Sequence, residues 1–193
     1  IEGGMIVTDD ELLYNIMKCQ RSHGWSRGIK NVNNNELDNR FCFINIGYNL
    51  RPMEIQGAMG LIQLKKLDQQ NNNRVCNFNK LRTKILASKS DKIILFEEEP
   101  NCVCAWFAFP ILVNNKYDKV KYVKHLESNG IETRPIVTGN FTRQPVFKNL
   151  KLNYDPASFE NAELIHTQGL FIGIQCYLLS DDKIDKLVEL LVN

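Results

Sequence analysis

Glu132 and Arg134 are the side chains whose types and spacing point most directly to chemistry in this sequence. They alternate within "GIETRPIVTGNFTRQPVF" (130–147), a stretch constrained by two glycines and two prolines. Residues two apart in an extended segment face the same side. A carboxylate there can accept hydrogen bonds from sugar hydroxyls, and a guanidinium can bind phosphate or carboxylate. The pattern favours a polar ligand, and a salt-bridged surface strand is the alternative.

A second polar group lies just before a predicted helix, in "GYNLRP". Asn49 and Arg51 would point toward the same end as the free backbone N–H groups of the first helical turn, which is a natural anion site. An ordinary helix cap with a surface arginine is the alternative. In "SHGWSRG", His23 and Arg27 lie on a loop where two such groups can clamp a phosphate. Their spacing by itself favours an ordinary solvated loop.

Composition limits the partners that this chain can have. The net charge of +2 is small and the basic residues are scattered among acidic ones, so we expect no nucleic-acid binding. Six cysteines without CxxC pairs, no signal-like start and no apolar stretch near eighteen residues favour a cytoplasmic protein with reduced thiols and no membrane span. His125 and His166 lack partners at metal-ligand spacing, so we expect no metal site.

Apolar patterns predict the elements that position these residues. "MIVT" (5–8) is typical of a strand, and the polar residues 8–10 predict the cap of a helix that runs to about Gln20. The Asn-rich segment 31–46 cannot pack a core and is predicted to be a connector or flap.

A long helix follows. Helical spacing of apolar residues extends to about Ser88, with Pro52 in the first turn and a bend around residues 69–73. Gly57 and Gly60 within it predict tight packing against another helix, because glycine in a helix costs about 1 kcal/mol relative to alanine.

The pattern after residue 93 predicts an α+β unit. "IILFEE" and "CVCAWFAFPILV" are typical of strands, and "SFENAELIHTQGLFIGI" predicts a helix that leads into a short strand. Two amphipathic helices complete it: "YDKVKYVKHLESNG", which ends at Gly130, and "LSDDKIDKLVELLVN", which Ser180 caps. Their predicted apolar faces are Tyr117, Val120, Val123 and Leu126 in the first and Ile184, Leu187, Val188 and Leu191 in the second.

Taken together and in order, "EGGM", "SHGWSRG", "GYNLRPMEIQGAMGLIQLKKLD" and "GIETRPIVTGNFTRQP" resemble the DegT/DnrJ/EryC1/StrS family of pyridoxal-phosphate-dependent sugar aminotransferases and dehydratases. The resemblance covers essentially the whole chain. It implies an α/β fold, that of type I aminotransferases, with an α+β C-terminal domain. Residues 1–50 would end the large cofactor-binding domain, 51–89 would form the connecting helix, and 90–193 would be the small domain.

The resemblance also implies roles for particular residues. Asn49 would reach the cofactor phosphate of the partner subunit, which makes a homodimer obligatory for activity, and Arg51 would lie toward the nucleotide phosphates. His23 matches a position that contacts the sugar, on the loop that also carries Arg27. Glu132 and Arg134 match residues that line the hexose and its diphosphate. The implied substrate-binding set is His23, Arg27, Arg51, Glu132, Arg134, Asn140 and Arg143.

Within the family, "IETRPIVTGNFTRQP" is similar to the branch that removes the C3 hydroxyl of nucleotide-linked 4-keto-6-deoxyhexoses in deoxysugar and O-antigen biosynthesis. The cofactor would be pyridoxal 5'-phosphate (PLP) in alternation with pyridoxamine 5'-phosphate, the substrate a nucleotide sugar and the amino donor glutamate. One relative in this branch carries an iron–sulfur cluster on four cysteines. Cys42, Cys102 and Cys104 lack a fourth partner after Cys104, so we expect no cluster here.

The defining catalytic residue of the family, a lysine in aminotransferases and a histidine in 3-dehydratases, lies a few residues before "EGG". That position is upstream of Ile1 here, so we expect no catalytic residue within 1–193 and a fragment that retains the cofactor poorly or not at all. Two alternatives stay open. One is a nucleotide-sugar 4-aminotransferase resembling perosamine synthase, and the other is a non-catalytic dimerisation or sugar-nucleotide-binding module.

Overall fold

The computed structural model describes residues 2–29 and 36–193. The chain divides into two compact units, Ile1–Lys66 and Leu67–Asn193. This boundary falls inside the helical segment that we assign to 51–89, and the three-part domain division stays a prediction. Part of the predicted connector 31–46 lies outside the described residues.

The first unit begins with an irregular segment and a capped helix. Helix α1 spans Glu11–Gln20, and the Asp10 Oδ1 atom accepts a hydrogen bond from the Leu13 N–H at 3.0 Å. This confirms the predicted helix and its cap, which satisfies a donor that the first turn leaves free. The predicted strand at 5–8 is wrong, since these residues have no regular structure. A strand needs a hydrogen-bonded neighbour, and no described segment pairs with this one.

The predicted long helix is two helices. Helix α2 spans Glu54–Leu64 and helix α3 spans Leu67–Ser88, with the interruption at residues 65–66 and not at 69–73. Asparagine is a weak helix former, yet residues 69–73 are helical. The Asn73 side chain donates a hydrogen bond to the Cys176 carbonyl at 3.0 Å, which attaches this turn to a distant segment. Pro52 lies before the first turn of α2 instead of within it.

The second unit contains a four-stranded antiparallel sheet with strand order β1-β2-β4-β3. This organisation confirms the predicted α+β unit. The strands are β1 (Ile93–Leu95), β2 (Ala108–Val113), β3 (Thr133–Arg134) and β4 (Gly169–Gly173), and the helices are α3, α4 (Lys119–Ser128), α5 (Val146–Asn149), α6 (Glu160–Gln168) and α7 (Asp181–Val192).

The core lies on one face of this sheet. Phe109 pairs with Ile172 and Ile111 with Leu170 across β2 and β4, and all four side chains are buried. Helices α3, α4 and α7 cover them with their own buried side chains, chiefly Phe78, Leu81, Ile85, Tyr122, Leu126 and Leu191. Burial of each large apolar side chain stabilises the unit by about 1.5–3 kcal/mol.

The predicted apolar faces of the last helices are partly confirmed. In α7, Ile184 and Leu191 are fully buried, and Leu187 and Val188 pack against the core. In α4, Leu126 is buried, but Val120 is 63% exposed and Tyr122 is buried in its place. The Tyr122 hydroxyl donates a hydrogen bond to the Leu191 carbonyl at 2.9 Å, which allows the polar end of this ring to enter the core. Burial raises its pKa.

The expected tight helix packing at Gly57 and Gly60 is not observed. A Cβ atom at either position would have no neighbour within 4 Å among the described residues outside the adjoining chain and helix backbone. Among the described helices, none has the length and apolar character needed to cross a bilayer. No three His, Cys, Asp or Glu side chains in residues 2–29 and 36–193 are placed to hold a metal ion together.

Candidate functional site

In the first unit, two predicted segments run side by side. The His23 N–H donates to the Tyr48 carbonyl at 2.8 Å and the Leu50 N–H donates to the Arg21 carbonyl at 3.0 Å. Ser22 and Asn49 form an isolated antiparallel bridge between these bonds. The structure therefore brings the backbone of His23 close to that of Asn49, although the two are 26 positions apart in the sequence.

Two glycines make this approach possible. Gly24 has a φ of +85°, and a Cβ atom there would lie 1.7 Å from the Asn45 carbonyl oxygen. A Cβ atom on Gly47 would lie 2.1 Å from the Gly24 nitrogen. Only glycine fits at either position, so the two segments depend on this pair for their register.

His23 has an unusual backbone conformation. Its φ of +61° lies in the left-handed region, which is uncommon for residues other than glycine. Its ring is half-buried and meets the Trp25 ring edge-on, with 5.6 Å between the centroids. The surrounding structure thus holds the imidazole in a defined place.

Asn49 and Arg51 are available to a ligand, whereas Arg27 is already in contact with protein groups. The side chains of Asn49 and Arg51 are exposed and make no hydrogen bond or ion pair with any described residue. The Arg27 guanidinium lies 4.7 Å from the centre of the Trp25 ring and donates a hydrogen bond to the Arg40 carbonyl at 3.1 Å. Any ligand contact of Arg27 would compete with these interactions.

In the second unit, Glu132 and Arg134 meet at the start of strand β3. Arg134 lies opposite Phe171 of β4. Its Nε and Nη2 atoms donate to the Glu132 Oε1 atom at 3.0 and 2.9 Å. The two side chains therefore face the same side, as their alternation predicts, and they also form the ion pair that was the alternative interpretation.

This ion pair lines a cavity of about 620 Å³, which we call the β3 cavity. The cavity is bounded by the start of β3, the end of α4, the loop 175–179 and one face of α7. Its size lies within the range of small-molecule sites, about 300–1,000 Å³. The start of β3 is thus the wall of a ligand-sized space and not a flat surface.

Two lysines of α7, Lys183 and Lys186, line the same cavity. Sequence reasoning missed them. Their spacing of three places them on one helical face, but periodicity identifies only the buried face of an amphipathic helix and not the element beside its polar edge. Nothing in the local sequence shows that α7 runs past the start of β3.

Hydrogen bonds from α3 fix the loop 175–179. The buried Asn77 side chain donates to the Gln175 and Tyr177 carbonyls at 3.0 and 2.7 Å and accepts from the Leu179 N–H at 3.0 Å. All the hydrogen-bonding groups of this amide except one lone pair are therefore used. One wall of the β3 cavity is set by a residue that is about 100 positions away in the sequence.

Asn140 and Arg143 have protein partners in the structure. Asn140 is 1% exposed, caps the short 3-10 helix Phe141–Arg143, and donates to the Pro156 carbonyl at 3.0 Å and the Glu163 carboxylate at 2.9 Å. Arg143 binds both oxygens of Glu163. These bonds, chiefly those from Arg143, lower the pKa of Glu163 to about 2. A ligand would have to replace these bonds, so the binding roles of Asn140 and Arg143 stay predictions.

Comparison with known proteins gives a consistent family. Residues 1–192 match the DegT/DnrJ/EryC1/StrS aminotransferase family. A GDP-4-keto-6-deoxy-D-mannose 3-dehydratase of Escherichia coli O55:H7 is 36% identical over 202 residues, which cover 99% of this chain and 50% of that protein. The chain spans about half the length of the curated relatives it matches.

Solved structures of similar proteins belong to the same type of enzyme as this relative. One is GDP-4-keto-6-deoxymannose-3-dehydratase with a trapped PLP-glutamate geminal diamine, at a TM-score of 0.82 and 34% identity. Another is a variant of that enzyme with bound GDP-perosamine, at a TM-score of 0.81 and 34% identity. Each match covers 96% of this chain and 49% of the other. The likeness confirms the predicted α/β fold class, that of PLP-dependent aminotransferases.

Proposed function

Because the chain belongs to the DegT/DnrJ/EryC1/StrS aminotransferase family, we propose that it works in a PLP-dependent enzyme that removes the C3 hydroxyl of a nucleotide-linked 4-keto-6-deoxyhexose. The observation that carries this proposal is the 36% identity to a 3-dehydratase along 99% of the chain. The placement of Glu132 and Arg134 on a ligand-sized cavity supports it independently.

The cofactor role rests on residues of the first unit. The Asn49 amide and the Arg51 guanidinium are exposed donors without partners among the described residues, just before the first turn of α2, and this donor set fits a phosphate. In this proposal Asn49 donates to the cofactor phosphate, and Arg51 lies toward the nucleotide phosphates. When bound, the pyridoxamine form supplies an amino group and an electron sink for loss of the hydroxyl.

The sugar role rests on the residues that the structure orients. Glu132 accepts hydrogen bonds from hexose hydroxyls through the carboxylate oxygen that Arg134 leaves free. His23, held in its left-handed conformation, contacts the sugar from the loop after α1. These groups position the sugar, and we assign the acid–base catalytic residue to none of them.

The assembly and the location follow from the same proposal. Asn49 serves the cofactor of the partner subunit, so the active enzyme is a homodimer with glutamate as amino donor. A solved relative that holds a PLP-glutamate adduct supports the donor. The six free cysteines support a reducing compartment such as the cytoplasm.

A nucleotide-sugar 4-aminotransferase is the second candidate, because the family that the chain matches is described by that activity. The two reactions differ in the fate of nitrogen. Dehydration with glutamate yields 2-oxoglutarate, ammonia and a 3-deoxy keto-sugar, whereas transamination yields 2-oxoglutarate and an amino sugar without ammonia.

The test is to incubate the native polypeptide that contains this sequence with GDP-4-keto-6-deoxymannose, PLP and glutamate. Ammonia is measured enzymatically, 2-oxoglutarate by chromatography and the sugar by mass spectrometry. We expect ammonia and 2-oxoglutarate in equal amounts and a sugar that has lost its C3 oxygen. An amino sugar without ammonia would favour the second candidate. Binding of the nucleotide sugar with neither product would favour a non-catalytic binding module.

A further inference from the structure

The charges that line the β3 cavity are not balanced. Glu132 and Arg134 neutralise each other through two hydrogen bonds. Lys183 and Lys186 also line the cavity, and neither forms an ion pair or hydrogen bond through its ammonium group with another described residue. Two unpaired positive charges one helical turn apart therefore face the same space as the Glu132–Arg134 pair.

Two acidic residues of α7 face helix α3. Asp181 contacts the Lys80 Nζ atom at 2.8 Å, and Asp185 pairs with Lys84, so this acidic side of α7 is neutralised by α3. At about 100° per residue, Lys183 and Lys186 lie on the opposite side of the helix. The positive charge of α7 is thus directed to the cavity, while its acidic residues at 181 and 185 are directed away from it.

Beside the lysines the cavity has aromatic walls. The Phe107 and Phe171 rings lie edge-on with 6.2 Å between their centroids, and Phe107 remains 72% exposed. Tyr177, on the loop that Asn77 fixes, is also exposed and lines the cavity. Exposed aromatic faces bind the flat rings of bases by stacking, and this contact tolerates any base.

We propose that Lys183 and Lys186 bind the phosphates of a nucleoside diphosphate whose base lies against Phe107, Phe171 and Tyr177. Lysine ammonium groups bind phosphate as point charges, and the neighbouring aromatic wall accepts a base without reading its identity. The inference rests on the proposed function in one respect, because the nucleoside diphosphate is taken to be the carrier of the sugar that Glu132 and Arg134 contact.

The test uses GDP as the probe and isothermal titration calorimetry on the native polypeptide that contains this sequence. We expect Lys183→Ala/Lys186→Ala to weaken GDP binding at least tenfold. Lys183→Arg/Lys186→Arg should retain binding within about threefold, because the charge remains. Binding of guanosine, which lacks the phosphates, should be weak and equal in all these proteins. Circular dichroism confirms that each variant is folded.

The matched control is Lys121→Ala/Lys124→Ala on α4. These exposed lysines have the same spacing of three and lie outside the cavity. We expect their removal to change GDP binding less than twofold. Equal weakening by both pairs of substitutions would mean that only overall charge matters and would overturn the inference. Absence of GDP binding to the unmodified chain would also overturn it.

Failure of this inference can be distinguished from failure of the proposed function. If the native polypeptide dehydrates the keto-sugar with unchanged KM in Lys183→Ala/Lys186→Ala, the function stands and the phosphate site is wrong. If GDP binding depends on the two lysines but the keto-sugar is not converted, the phosphate site stands and the proposed reaction is wrong.

Discussion

At the scale of single residues, Glu132 and Arg134 are oriented before any ligand binds. Both side chains are largely exposed, and an exposed ion pair contributes only about 0–1 kcal/mol to folding. The pair therefore does little for stability. Its effect is to hold a carboxylate and a guanidinium at the wall of the β3 cavity, where the proposed sugar would bind.

Glu132→Ala in the native polypeptide should lower turnover of the keto-sugar at least tenfold while the dissociation constant of PLP changes less than twofold. The substitution removes the proposed acceptor for sugar hydroxyls and frees Arg134, but it leaves the first unit intact. Steady-state kinetics and PLP absorbance titration measure the two effects. The control is Glu97→Ala, which removes an exposed carboxylate outside the cavity. Unchanged turnover in Glu132→Ala would rule out the role given to this residue.

Glu163 should make the stability of the protein depend on pH in acid. Its pKa is lowered from 4.5 to about 2 by hydrogen bonds from Arg143 and, second, from Asn140. A lowered pKa in the folded state means that the carboxylate contributes stability above about pH 4.5, and this contribution is lost as the pH falls toward 2. Between these values the free energy of unfolding should fall more steeply in the wild type than in Glu163→Gln.

Urea denaturation at several values between pH 5 and about pH 2.5 measures this difference in slope, within the range that the lowered pKa defines. Glu160→Gln, at an exposed position of the same helix, is the control and should follow the wild type. If Glu163→Gln and the wild type lose stability in parallel, the interaction with Arg143 does not lower the pKa as described.

At the scale of elements, α3 organises the second unit by hydrogen bonds as well as by apolar packing. Its Arg74 guanidinium donates to the Ile174 carbonyl at 3.0 Å, Asn73 donates to Cys176, and Asn77 binds three backbone groups of the next residues. Among the described residues, no strand pairs with the segment between β4 and α7. Polar side chains of α3 supply the hydrogen bonds that a neighbouring strand would otherwise make, and they fix this wall of the β3 cavity.

Asn77→Ala should destabilise the second unit by about 3 kcal/mol, because three backbone groups lose a buried partner at about 1 kcal/mol or more each. Urea denaturation followed by tryptophan fluorescence measures the loss. Asn79→Ala, on the exposed side of the same helix, should change stability by less than about 0.5 kcal/mol. A loss below about 1 kcal/mol in Asn77→Ala would show that the loop is held in another way.

At the scale of the whole molecule, the proposed sharing of residues between subunits can be tested by mixing. If Asn49 serves the partner's cofactor and Glu132 serves the sugar of its own subunit, a hybrid of Asn49→Ala and Glu132→Ala chains contains one intact site. Random pairing of equal amounts of the two impaired proteins should then raise turnover to about a quarter of the wild-type value.

The measurement is keto-sugar turnover after the two native-length variants are unfolded together and refolded. Each variant refolded alone is the control and should keep its own low turnover. Absence of any recovery in a mixture that sedimentation shows to be dimeric would place Asn49 and Glu132 in the same subunit's site.

Much of the local structure could be predicted from sequence. The predictions are wrong where contacts with distant segments determine the local structure. The cap at Asp10 and the buried positions Ile184 and Leu191 follow from local chemistry and helical period. The prediction of a strand at "MIVT" is wrong because an apolar run does not specify a neighbouring strand to pair with. The sequence predicts the bend at residues 69–73, whereas the helix is interrupted at residues 65–66. Asn73 and Asn77 bind partners about 100 positions away, and helix propensity does not include such contacts.

Residue types and their spacing are enough to identify the family, the α+β order of elements and the alternation that places Glu132 and Arg134 on one side. They can be predicted because the periods of helices and strands place residues at given spacings on the same face of an element. Three other features depend on tertiary packing. Lys183 and Lys186 line the same cavity as this pair, the buried Asn140 donates to Glu163, and the backbone of His23 lies beside that of Asn49. The reason is physical: spacing fixes the direction of a side chain, but packing of distant elements fixes what it meets.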